Sequence, residues 1–521
     1  MPVLSIGRKR WGLDSPPMSR ATVRLSLREA GRALPCAALV LALACGGATP
    51  ARPDVLLIVV DTLRADHLSA WGYGKPTSPR LDDLAEDALR FTRAQSPRAK
   101  TLPAVCSLMT GLYPHAHGVR DNASRLPAEL PALAPALQQA GYATSACVGN
   151  FVLQNERSGL ARGFLHWDEE LPDADGVPPD NVPQRRAAAL TEAALAELSR
   201  LCAGDRPWFL YLHYMDPHGL YDPPAAHRLF GGDPPDPVPA EGELPDDPLH
   251  PHRLSGFNVP PEALLPDGRP DAAAIRALYD GEIHYADEQI GRVLEALAAR
   301  GRLDQTLVVV VADHGESLGE HRYWFEHGFY VYEDACRVPL LVRGPGLRRG
   351  SCEADLSLVD LAPTLLDLLG LPPLRPPPVD PAAPPVGVSR AGLLRPSGAA
   401  PEREPVFCEK IERADLAGTA QAKAVRIGDW KLIRRYAHDS AGHRMTLSEE
   451  LYDLAADPGE TQNLAATPPS IAPLDTLRAQ LLRFAAAEVR LADLARLLQE
   501  HQEQLEEMDP EAARILRQLG Y

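Results

Sequence analysis

A threonine at the start of a short apolar segment is the first residue whose setting suggests chemistry. Thr101 opens the run TLPAVCSLMTG, in which Pro103 falls in the first turn and Gly111 ends the run, so the pattern predicts a short helix. The first turn of a helix presents N–H groups and partial positive charge, which suits a phosphate or a sulfate. A hydroxyl there either caps the helix or, beside a metal ion, becomes a nucleophile. The spacing alone supports both interpretations.

Acidic and imidazole side chains follow three other apolar runs, at residues 55–60, 208–212 and 307–311. An aspartate after a strand is as often a turn former or a helix cap as a ligand, and this applies to Asp61 by itself. Two adjacent candidates before a glycine, as in Asp313-His314-Gly315, favour a functional role more strongly. The candidates that follow the three runs are Asp61, His213, Asp216, His218, Asp313 and His314. Taken together, they favour a metal site.

The three apolar runs have the length of strands that are covered on both faces, and helical patterns lie between them at residues 81–88 and 279–297. Strands that alternate with helices form a mainly parallel sheet, whose ligands collect beyond the carboxyl ends of the strands. Carboxylates with one imidazole suit calcium, magnesium or manganese, and each further nitrogen moves the preference towards zinc. The sequence therefore predicts one divalent metal ion, with its identity open.

Size and charge limit the classes of protein and partner. A chain of 521 residues exceeds what one hydrophobic core usually serves, so we expect a large domain with a smaller one appended. The formal net charge of −17 argues against a nucleic-acid partner, because phosphate backbones are held by clustered Lys and Arg. A small anionic ester is compatible with this charge, since a bound metal reverses the local sign.

Residues 1–45 have the pattern of an export signal. Several arginines precede the apolar residues 34–44, and Met18 is an alternative start. The apolar run is shorter than the ~20 residues of a membrane span. Ala44-Cys45 resembles a bacterial lipoprotein cleavage site. We therefore expect export to the periplasm or cell envelope, a lipid anchor at Cys45 as the only membrane attachment, and a tether at residues 46–52, with plain secretion as the alternative.

The cysteines beyond the leader have irregular spacing and contain no C-x-x-C pair. This pattern predicts neither a zinc site nor a disulfide framework. We expect buried free thiols at Cys106, Cys147, Cys202, Cys336, Cys352 and Cys408.

Nine segments between about Pro53 and Ala465 resemble the motifs of one known protein family. In chain order they are VLLIVVDTLRADHLSAWGY, TLPAVCSLMTGLYPHAHGV, FLYLHYMDPHGLY, YDGEIHYADEQIGRVL, VVVVADHGESLGEH, HGFYVYEDACRVPLLVRGPG, LVDLAPTLLDLLGL, VRIGDWKLI and ELYDLAADPGETQNLA. In this order they resemble the sulfatases of the alkaline phosphatase superfamily. One motif could arise by chance, whereas nine in the order of the family could not.

The resemblance implies a role for each matching residue. Asp61 and Asp313-His314 match the metal ligands of the family, and Thr101 matches the nucleophile, which also touches the metal. His218 matches a histidine that contacts the ester or protonates the leaving group. We expect contacts with the substrate from His213, Asp216, His327 and Lys100.

The resemblance also implies the fold. It is an alkaline-phosphatase-like α/β sandwich on a mixed, mainly parallel central sheet over residues 53–400, followed by a small antiparallel sheet with a terminal helix over residues 401–521. VRIGDWKLIRRY and EELYDL would supply two strands of the small sheet, and the helical pattern begins near residue 474. The Pro-rich residues 222–270 and 372–405 are expected to be loops that frame the site.

The chain departs from the sulfatase pattern at the nucleophile. Sulfatases carry Cys or Ser in a C/S-x-P-x-R arrangement, and the cell oxidises that residue to formylglycine. Here Thr101 stands in its place and Val105 replaces the arginine. Threonine is not a substrate for this oxidation, so formylglycine chemistry is not expected. Thr62 also replaces the second aspartate of many calcium-binding sulfatases, and His314 stands where they often have asparagine.

The expected function is metal-dependent cleavage of phosphate or sulfate esters through a threonine nucleophile. Phosphate esters are favoured, because water can release a phosphothreonine, whereas a sulfated threonine lacks the exit that formylglycine provides. One alternative is a phosphoryl-group transferase of the same superfamily. Another is a lipid-anchored binding protein that has kept the fold without the reaction.

Overall fold

The structure is a computed structural model that describes residues 52–172, 184–247, 250–374, 386–396, 398, 403–410, 421–438 and 444–487. These residues belong to one compact unit, Arg52–Tyr521. The expected leader, Cys45 and the tether up to residue 51 lie outside the described residues. Within the described ranges, no helix has both the length and the apolar character needed to cross a bilayer.

Sixteen strands are present among the described residues. In chain order they are β1 (Asp54–Val60), β2 (Leu89–Gln95), β3 (Ala143–Val148), β4 (His166–Asp168), β5 (Trp208–Tyr214), β6 (Arg253–Leu254), β7 (Thr306–Ala312), β8 (Ser317–Leu318), β9 (Tyr323–Glu326), β10 (Arg337–Arg343), β11 (Gly350–Cys352), β12 (Leu356–Ser357), β13 (Val406–Lys410), β14 (Gln421–Ile427), β15 (Trp430–His438) and β16 (Arg444–Asp453).

The α-helices lie between these strands and after them. They are α1 (Pro79–Glu86), α2 (Thr101–Thr110), α3 (Pro114–His117), α4 (Leu133–Gln139), α5 (Asn155–Ser158), α6 (Ala187–Cys202), α7 (Ala272–Ala299), α8 (Glu333–Cys336), α9 (Leu361–Leu368) and α10 (Ala391–Leu394). Residues 474–487 are also helical.

The central sheet is mixed, as the family resemblance implies. Its order is β11-β2-β10-β7-β1-β5-β3-β4, with β12 beside β2. Strands β7, β1, β5, β3 and β4 are parallel to one another, whereas β10 is antiparallel to β7 and β2. Every residue of β1, β5 and β7 is buried, which explains their continuous apolar sequences. Helix α6 packs on β3 and β5, and α7 packs on α6 and α1.

The register of the central strands fixes where the candidate site forms. Val60 at the end of β1 pairs with Tyr214 of β5 and with Ala312 of β7. The residues that follow Val60 and Ala312 are Asp61 and Asp313, so both carboxylates leave the sheet at the same level. The predicted convergence of these two residues is a direct result of parallel pairing.

The small sheet is antiparallel, with the order β13-β14-β15-β16. One face packs against residues 474–487, where Leu477, Leu481 and Phe484 join Val425 and Leu432 in one apolar cluster. This agrees with the expected sheet and helix, but the segment VRIGDWKLIRRY does not form a single strand. It folds into the β14–β15 hairpin, because Gly428 adopts a φ of 61° at the turn.

The two Pro-rich segments differ in what they contribute. The first, residues 222–270, contains β6, which pairs with β9, and β9 leads directly to His327. This segment therefore pairs with the strand that precedes His327. In the second segment, residues 375–385, 397 and 399–402 lie outside the described residues.

The six described cysteines are not bonded to one another in the structure, and five of them are buried. This agrees with the expected free thiols at Cys106, Cys147 and Cys352, whereas the sulfur atoms of Cys336 and Cys408 lie 2.9 Å apart. Cys202 differs because it is only partly buried at the last position of α6.

Candidate metal centre and active site

Four side chains from three distant segments meet at the carboxyl end of the central sheet. Thr101 Oγ1 lies 3.3 Å from Asp61 Oδ2 and 3.4 Å from His314 Nε2. His314 Nε2 lies 3.6 Å from Asp61 Oδ1 and 3.6 Å from Asp313 Oδ2. All four residues are at most 1% exposed. The structure thus brings together the four residues that the sequence predicts as metal ligands and nucleophile.

Local structure explains how Thr101 faces the carboxylates. The residue occupies the first position of α2, after Lys100 at the N-cap, and its hydroxyl donates towards Asp61. Gly111, with a φ of 72°, ends the helix as predicted. A threonine that only capped the helix would direct its oxygen to the helix backbone. The contacts with Asp61 and His314 favour the chemical interpretation of this hydroxyl over the capping one.

The hydrogen bond of the other ring nitrogen fixes the tautomer of His314. Its Nδ1 lies 2.9 Å from the carbonyl oxygen of Gly315, so Nδ1 carries the proton and donates it. In the neutral ring, Nε2 then presents a lone pair to Thr101, Asp61 and Asp313. Gly315 is required here, since a Cβ atom would lie 2.1 Å from the carbonyl oxygen of Asp334.

The donor set fits a divalent cation. Asp61, Asp313 and His314 each offer one ligand atom, and the three atoms lie within 4.8 Å of one another. Asp61 Oδ1 and Asp313 Oδ2 are buried, and neither has a hydrogen-bond partner among the described residues. Two uncompensated carboxylate oxygens at this depth are costly unless a cation neutralises them. The residues present therefore match the predicted divalent metal, whose identity two carboxylates and one imidazole leave open.

Two further histidines lie beside the cluster and differ in their acidity. The ring of His327 is 4.5 Å from that of His314, and the ring of His218 is 5.2 Å from that of His327. Burial opposes protonation of His218, but the negative charges of Asp61 and Glu316 outweigh burial and raise its pKa. Burial lowers the pKa of His327 to about 3, and the neighbouring His314 and His218 add to this effect. The site thus holds one imidazole suited to donate a proton and one that stays neutral.

The start of α2 offers fewer N–H groups to an anion than the sequence suggests. The N–H of Leu102 donates to Asn122 Oδ1 at 3.1 Å, and Pro103 has none. Side chains must therefore supply most of the contacts with an anionic substrate. The stem of Lys100 lies against Gly328, the residue after His327.

Two of the predicted substrate-binding residues, His213 and Asp216, contact protein groups in place of an open substrate site. His213 is fully buried, and its Nε2 lies 3.8 Å from Asp313 Oδ2, so it belongs beside the metal ligands. Asp216 pairs with Arg186 at 2.7 Å and accepts the N–H of Ala187 at 2.8 Å, at the start of α6. Asp216 thus differs from the expectation, because a nearby guanidinium and a helix N-terminus hold its carboxylate.

Asn150 and Glu316 belong to the site but were not singled out from the sequence. Asn150 Nδ2 donates to Asp61 Oδ2 at 2.5 Å, and its Oδ1 accepts the N–H of Val152 at 2.9 Å. The amide is thus locked with its donor facing the metal ligand. Glu316 Oε1 lies 3.1 Å from His327 Nδ1, and burial raises the pKa of Glu316 to about 7.

A sequence signal existed for only one of these residues. Glu316 follows His314 by two positions in the DHGES motif, so the motif itself marks it. Asn150 follows β3, whose sequence ATSACV lacks the continuous apolar character that revealed β1, β5 and β7. Its role appears only when β3 pairs with β5 and brings it beside β1.

Replacement of Asn150 by alanine is expected to lower kcat/KM by about 10–100-fold, because Asp61 loses the donor that orients it. The measurement is steady-state hydrolysis of an aryl ester, together with the metal dissociation constant. Asn155→Ala is the matched control, since Asn155 accepts the N–H of Ala161 in the α5 region, away from Asp61. An Asn150→Ala enzyme with kcat/KM within twofold of the wild type would refute this orienting role.

Comparison with known families decides the class of the protein. The family profile described as Sulfatase matches residues 53–371. The chain belongs to the sulfatase family. A second profile, N-sulphoglucosamine sulphohydrolase, C-terminal, matches residues 319–487, which include the small sheet. Sulfatase-family membership confirms the predicted class, a hydrolase of sulfuric or phosphoric esters, at the level of the family.

Individual relatives of this sulfatase-family chain cover most of its length. Choline-sulfatase of Rhizobium meliloti is 29% identical over 470 residues, which cover 81% of this chain and 84% of that protein. N-acetylglucosamine-6-O-sulfatase of Bacteroides thetaiotaomicron is 26% identical over 553 residues, which cover 92% and 91%. The crystal structure of the phosphonate monoester hydrolase of Agrobacterium radiobacter superposes with a TM-score of 0.58 and 25% identity, and covers 86% of this chain and 96% of that one. The fold is therefore shared with enzymes named for sulfate esters and for phosphonate esters.

Proposed function

We propose that this sulfatase-family hydrolase is metal-dependent and cleaves phosphoric or sulfuric esters through Thr101. The observation that carries the proposal is the position of the Thr101 hydroxyl, within 3.4 Å of both Asp61 and His314. A bound divalent ion would act as a Lewis acid and lower the pKa of a hydroxyl beside it. Asp61, Asp313 and His314 would hold that ion, with Thr101 next to it.

The first step is attack by Thr101 on the ester centre. The hydroxyl donates to Asp61 Oδ2, so this carboxylate is placed to accept the Thr101 proton as Oγ1 attacks the ester centre and to return it when the ester of Thr101 is hydrolysed. Lys100 and the partial positive charge at the start of α2 stabilise charge on the non-reacting oxygens. The product of this step is an ester of Thr101 with the phosphoryl or sulfuryl group.

Proton transfer to the leaving alcohol and from the attacking water falls to His218. Its Nδ1 donates to the carbonyl oxygen of Gly219 at 2.8 Å, so Nε2 is the nitrogen that is available to the substrate. The raised pKa of His218 favours the protonated ring, which gives its proton to the leaving alcohol. The neutral ring that remains can then accept a proton from the water that releases the product.

The preferred class of ester, phosphate or sulfate, depends on which covalent intermediate at Thr101 can be hydrolysed. A formylglycine hydrate expels sulfate as it collapses to an aldehyde, and threonine has no such route. Attack of water on a phosphothreonine needs no aldehyde. Similarity to a phosphonate monoester hydrolase supports a phosphorus-centred ester, whereas similarity to choline-sulfatase supports a sulfate ester. The nucleophile favours the phosphorus-centred substrate.

Parallel rates on nitrophenyl sulfate, nitrophenyl phosphate and a nitrophenyl phosphonate monoester test this assignment. We expect kcat/KM to be highest for a phosphorus-centred ester. A higher kcat/KM for the sulfate would contradict the proposed ester class. Formation of glycerol phosphate when glycerol is added as an acceptor would indicate a transferase. Absence of hydrolysis for all three esters in the metal-loaded protein would favour the non-catalytic binding protein.

Substitution of His218 by asparagine is expected to slow an alkyl ester more than a nitrophenyl ester. A general acid contributes about 10²–10⁴-fold, and a nitrophenolate leaves without needing a proton. The measurement is kcat for both esters of one acid. His166→Asn is the control, since the side chain of His166 is 52% exposed on β4. Equal losses for the two esters would show that His218 is not the acid.

We infer export and lipid attachment at Cys45 from the leader pattern of the sequence. Radiolabelled palmitate should enter the full chain in bacteria and should not enter a Cys45→Ala variant. Equal labelling of the two proteins would contradict attachment at this residue.

A further inference from the structure

Two buried cysteines approach each other where the small sheet meets the central sheet. Cys336 Sγ and Cys408 Sγ are 2.9 Å apart, and the two residues are 0% and 3% exposed. They are separated by 72 positions in the chain. The sulfur atoms are farther apart than the ~2.05 Å of a bonded pair, but no atom fits between them. Two separate thiols do not pack this closely, so the pair lies between a non-bonded contact and a disulfide.

A metal does not account for the pair. Among the described residues, the three-ligand cluster that could hold an ion is Asp61, Asp313 and His314. Cys336 and Cys408 thus have no third ligand in the described part of the chain, and soft metal sites in proteins generally need at least three. The pair is therefore better suited to a reaction between the two thiols than to metal binding.

The two cysteines lie on segments that hydrogen-bond to the segments carrying Thr101 and His314. Cys336 is the last residue of α8, and its carbonyl accepts the N–H of Ser96, five positions before Thr101. The neighbouring carbonyl of Ala335 accepts the N–H of Gly315, directly after His314.

Cys408 belongs to β13 of the small sheet, next to Glu409. The N–H of Glu409 donates to the carbonyl of Pro97, in the segment that leads to Thr101. Both carboxylate oxygens of Glu409 are engaged, since it accepts from His115 at 2.9 Å and from Lys423 at 2.5 Å. A bond between the two cysteines would therefore join the small sheet to the segments that position the nucleophile and His314.

We propose that Cys336 and Cys408 form a disulfide that fastens the small sheet to the back of the active site. Each thiol loses one proton, the pair loses two electrons, and one S–S bond forms. The oxidant is a disulfide, either that of a protein dithiol oxidase or glutathione disulfide. It accepts the two electrons and two protons and becomes two thiols by exchange through a mixed disulfide.

Burial determines when the bond can form and how long it lasts. Burial and the adjacent Cys408 raise the pKa of the Cys336 thiol far above its usual range, so the folded protein contains little thiolate at this site. Oxidation therefore takes place before the two segments pack. Once formed, the bond is shielded from thiols in solution and persists.

Peptide mapping of the full chain tests the proposal without any need for activity. The chain is refolded in a buffer of reduced and oxidised glutathione poised as in an oxidising export compartment, then denatured in N-ethylmaleimide and digested. We expect a peptide that links Cys336 to Cys408, with Cys106, Cys147, Cys202 and Cys352 alkylated. Alkylation of both Cys336 and Cys408, or a link from either to another cysteine, would overturn the proposal.

Unfolding of variants provides a second measurement. Cys336→Ala and Cys408→Ala should each lower Tm by roughly 5 °C without reductant, and the double variant should lose little more. Cys352→Ala, at another buried free thiol, is the matched control. Added reductant during refolding should lower the Tm of the wild type towards that of the variants. Tm losses that add up in the double variant, together with a wild-type Tm that reductant does not change, would contradict a bond. This result is independent of the ester that the enzyme hydrolyses.

Discussion

Replacement of Thr101 by alanine is expected to lower kcat by about 10⁴-fold or more, because the proposed nucleophile is removed and water cannot use the same position. The bound metal should be largely retained, since Asp61, Asp313 and His314 keep their ligand atoms. The measurements are kcat on the best ester and the metal content of the purified protein. Loss of activity with metal retained would separate a catalytic role for Thr101 from a structural one.

Two variants control for the effect of the substitution itself. Thr110→Ala makes the same change at the other end of α2, where the hydroxyl donates to the carbonyl of Cys106, and it should leave kcat nearly unchanged. Thr101→Ser keeps a hydroxyl and should retain a substantial part of the activity. A Thr101→Ala enzyme with kcat within tenfold of the wild type would refute the nucleophile assignment.

Replacement of Asp313 by asparagine is expected to weaken metal binding by at least about 100-fold, because a ligand charge is lost at a fully buried position. Metal at 100 times its dissociation constant should raise the unfolding free energy of the wild type by about 2.7 kcal/mol. The Asp313→Asn protein should gain little at the same concentration. Titration with the metal and thermal unfolding with and without it provide the two readouts.

The same experiment includes a matched surface substitution. Asp205→Asn removes an exposed carboxylate from the loop before β5 and should leave the metal-dependent stabilisation intact. Full metal-dependent stabilisation of the Asp313→Asn protein would show that the cation, if bound, is held elsewhere. The metal that stabilises the wild type most at equal concentration would identify the ion.

The sequence was sufficient to predict the strands that are apolar along their whole length. Strands β1, β5 and β7 are apolar throughout because both of their faces are covered, and this made them visible without a structure. Parallel pairing then requires Asp61 and Asp313 to leave the sheet side by side. The convergence of these two carboxylates could therefore be predicted from strand ends and parallel pairing.

Contacts between distant segments could not be predicted in this way. Asp216 follows a strand as Asp61 does, but the side chain of Arg186 and the start of α6 hold its carboxylate. Asn150 contributes to the site only because β3 lies next to β5. These outcomes depend on strand order and on which side chains face each other, which local patterns do not specify.

Val105, which stands where the sulfatase pattern has an arginine, lies in an apolar environment. Val105 is fully buried in the main apolar core, and Cys106 and Leu108 of the same helix share this core. Restoring an arginine at this position would place a charge in an apolar environment. Under the proposed function, the anion must be held by groups other than Val105, and we expect Lys100 and His218 to supply them.

A crystal structure of the metal-loaded protein with orthovanadate most directly tests whether the Thr101 hydroxyl is the nucleophile of a metal-bound site. Vanadate adopts the five-coordinate geometry of a phosphoryl group during transfer, with the attacking oxygen at one apex. We expect Thr101 Oγ1 at that apex, beside an ion held by Asp61, Asp313 and His314. A water or another side chain at the apex, with the Thr101 hydroxyl directed away from the ion, would contradict it.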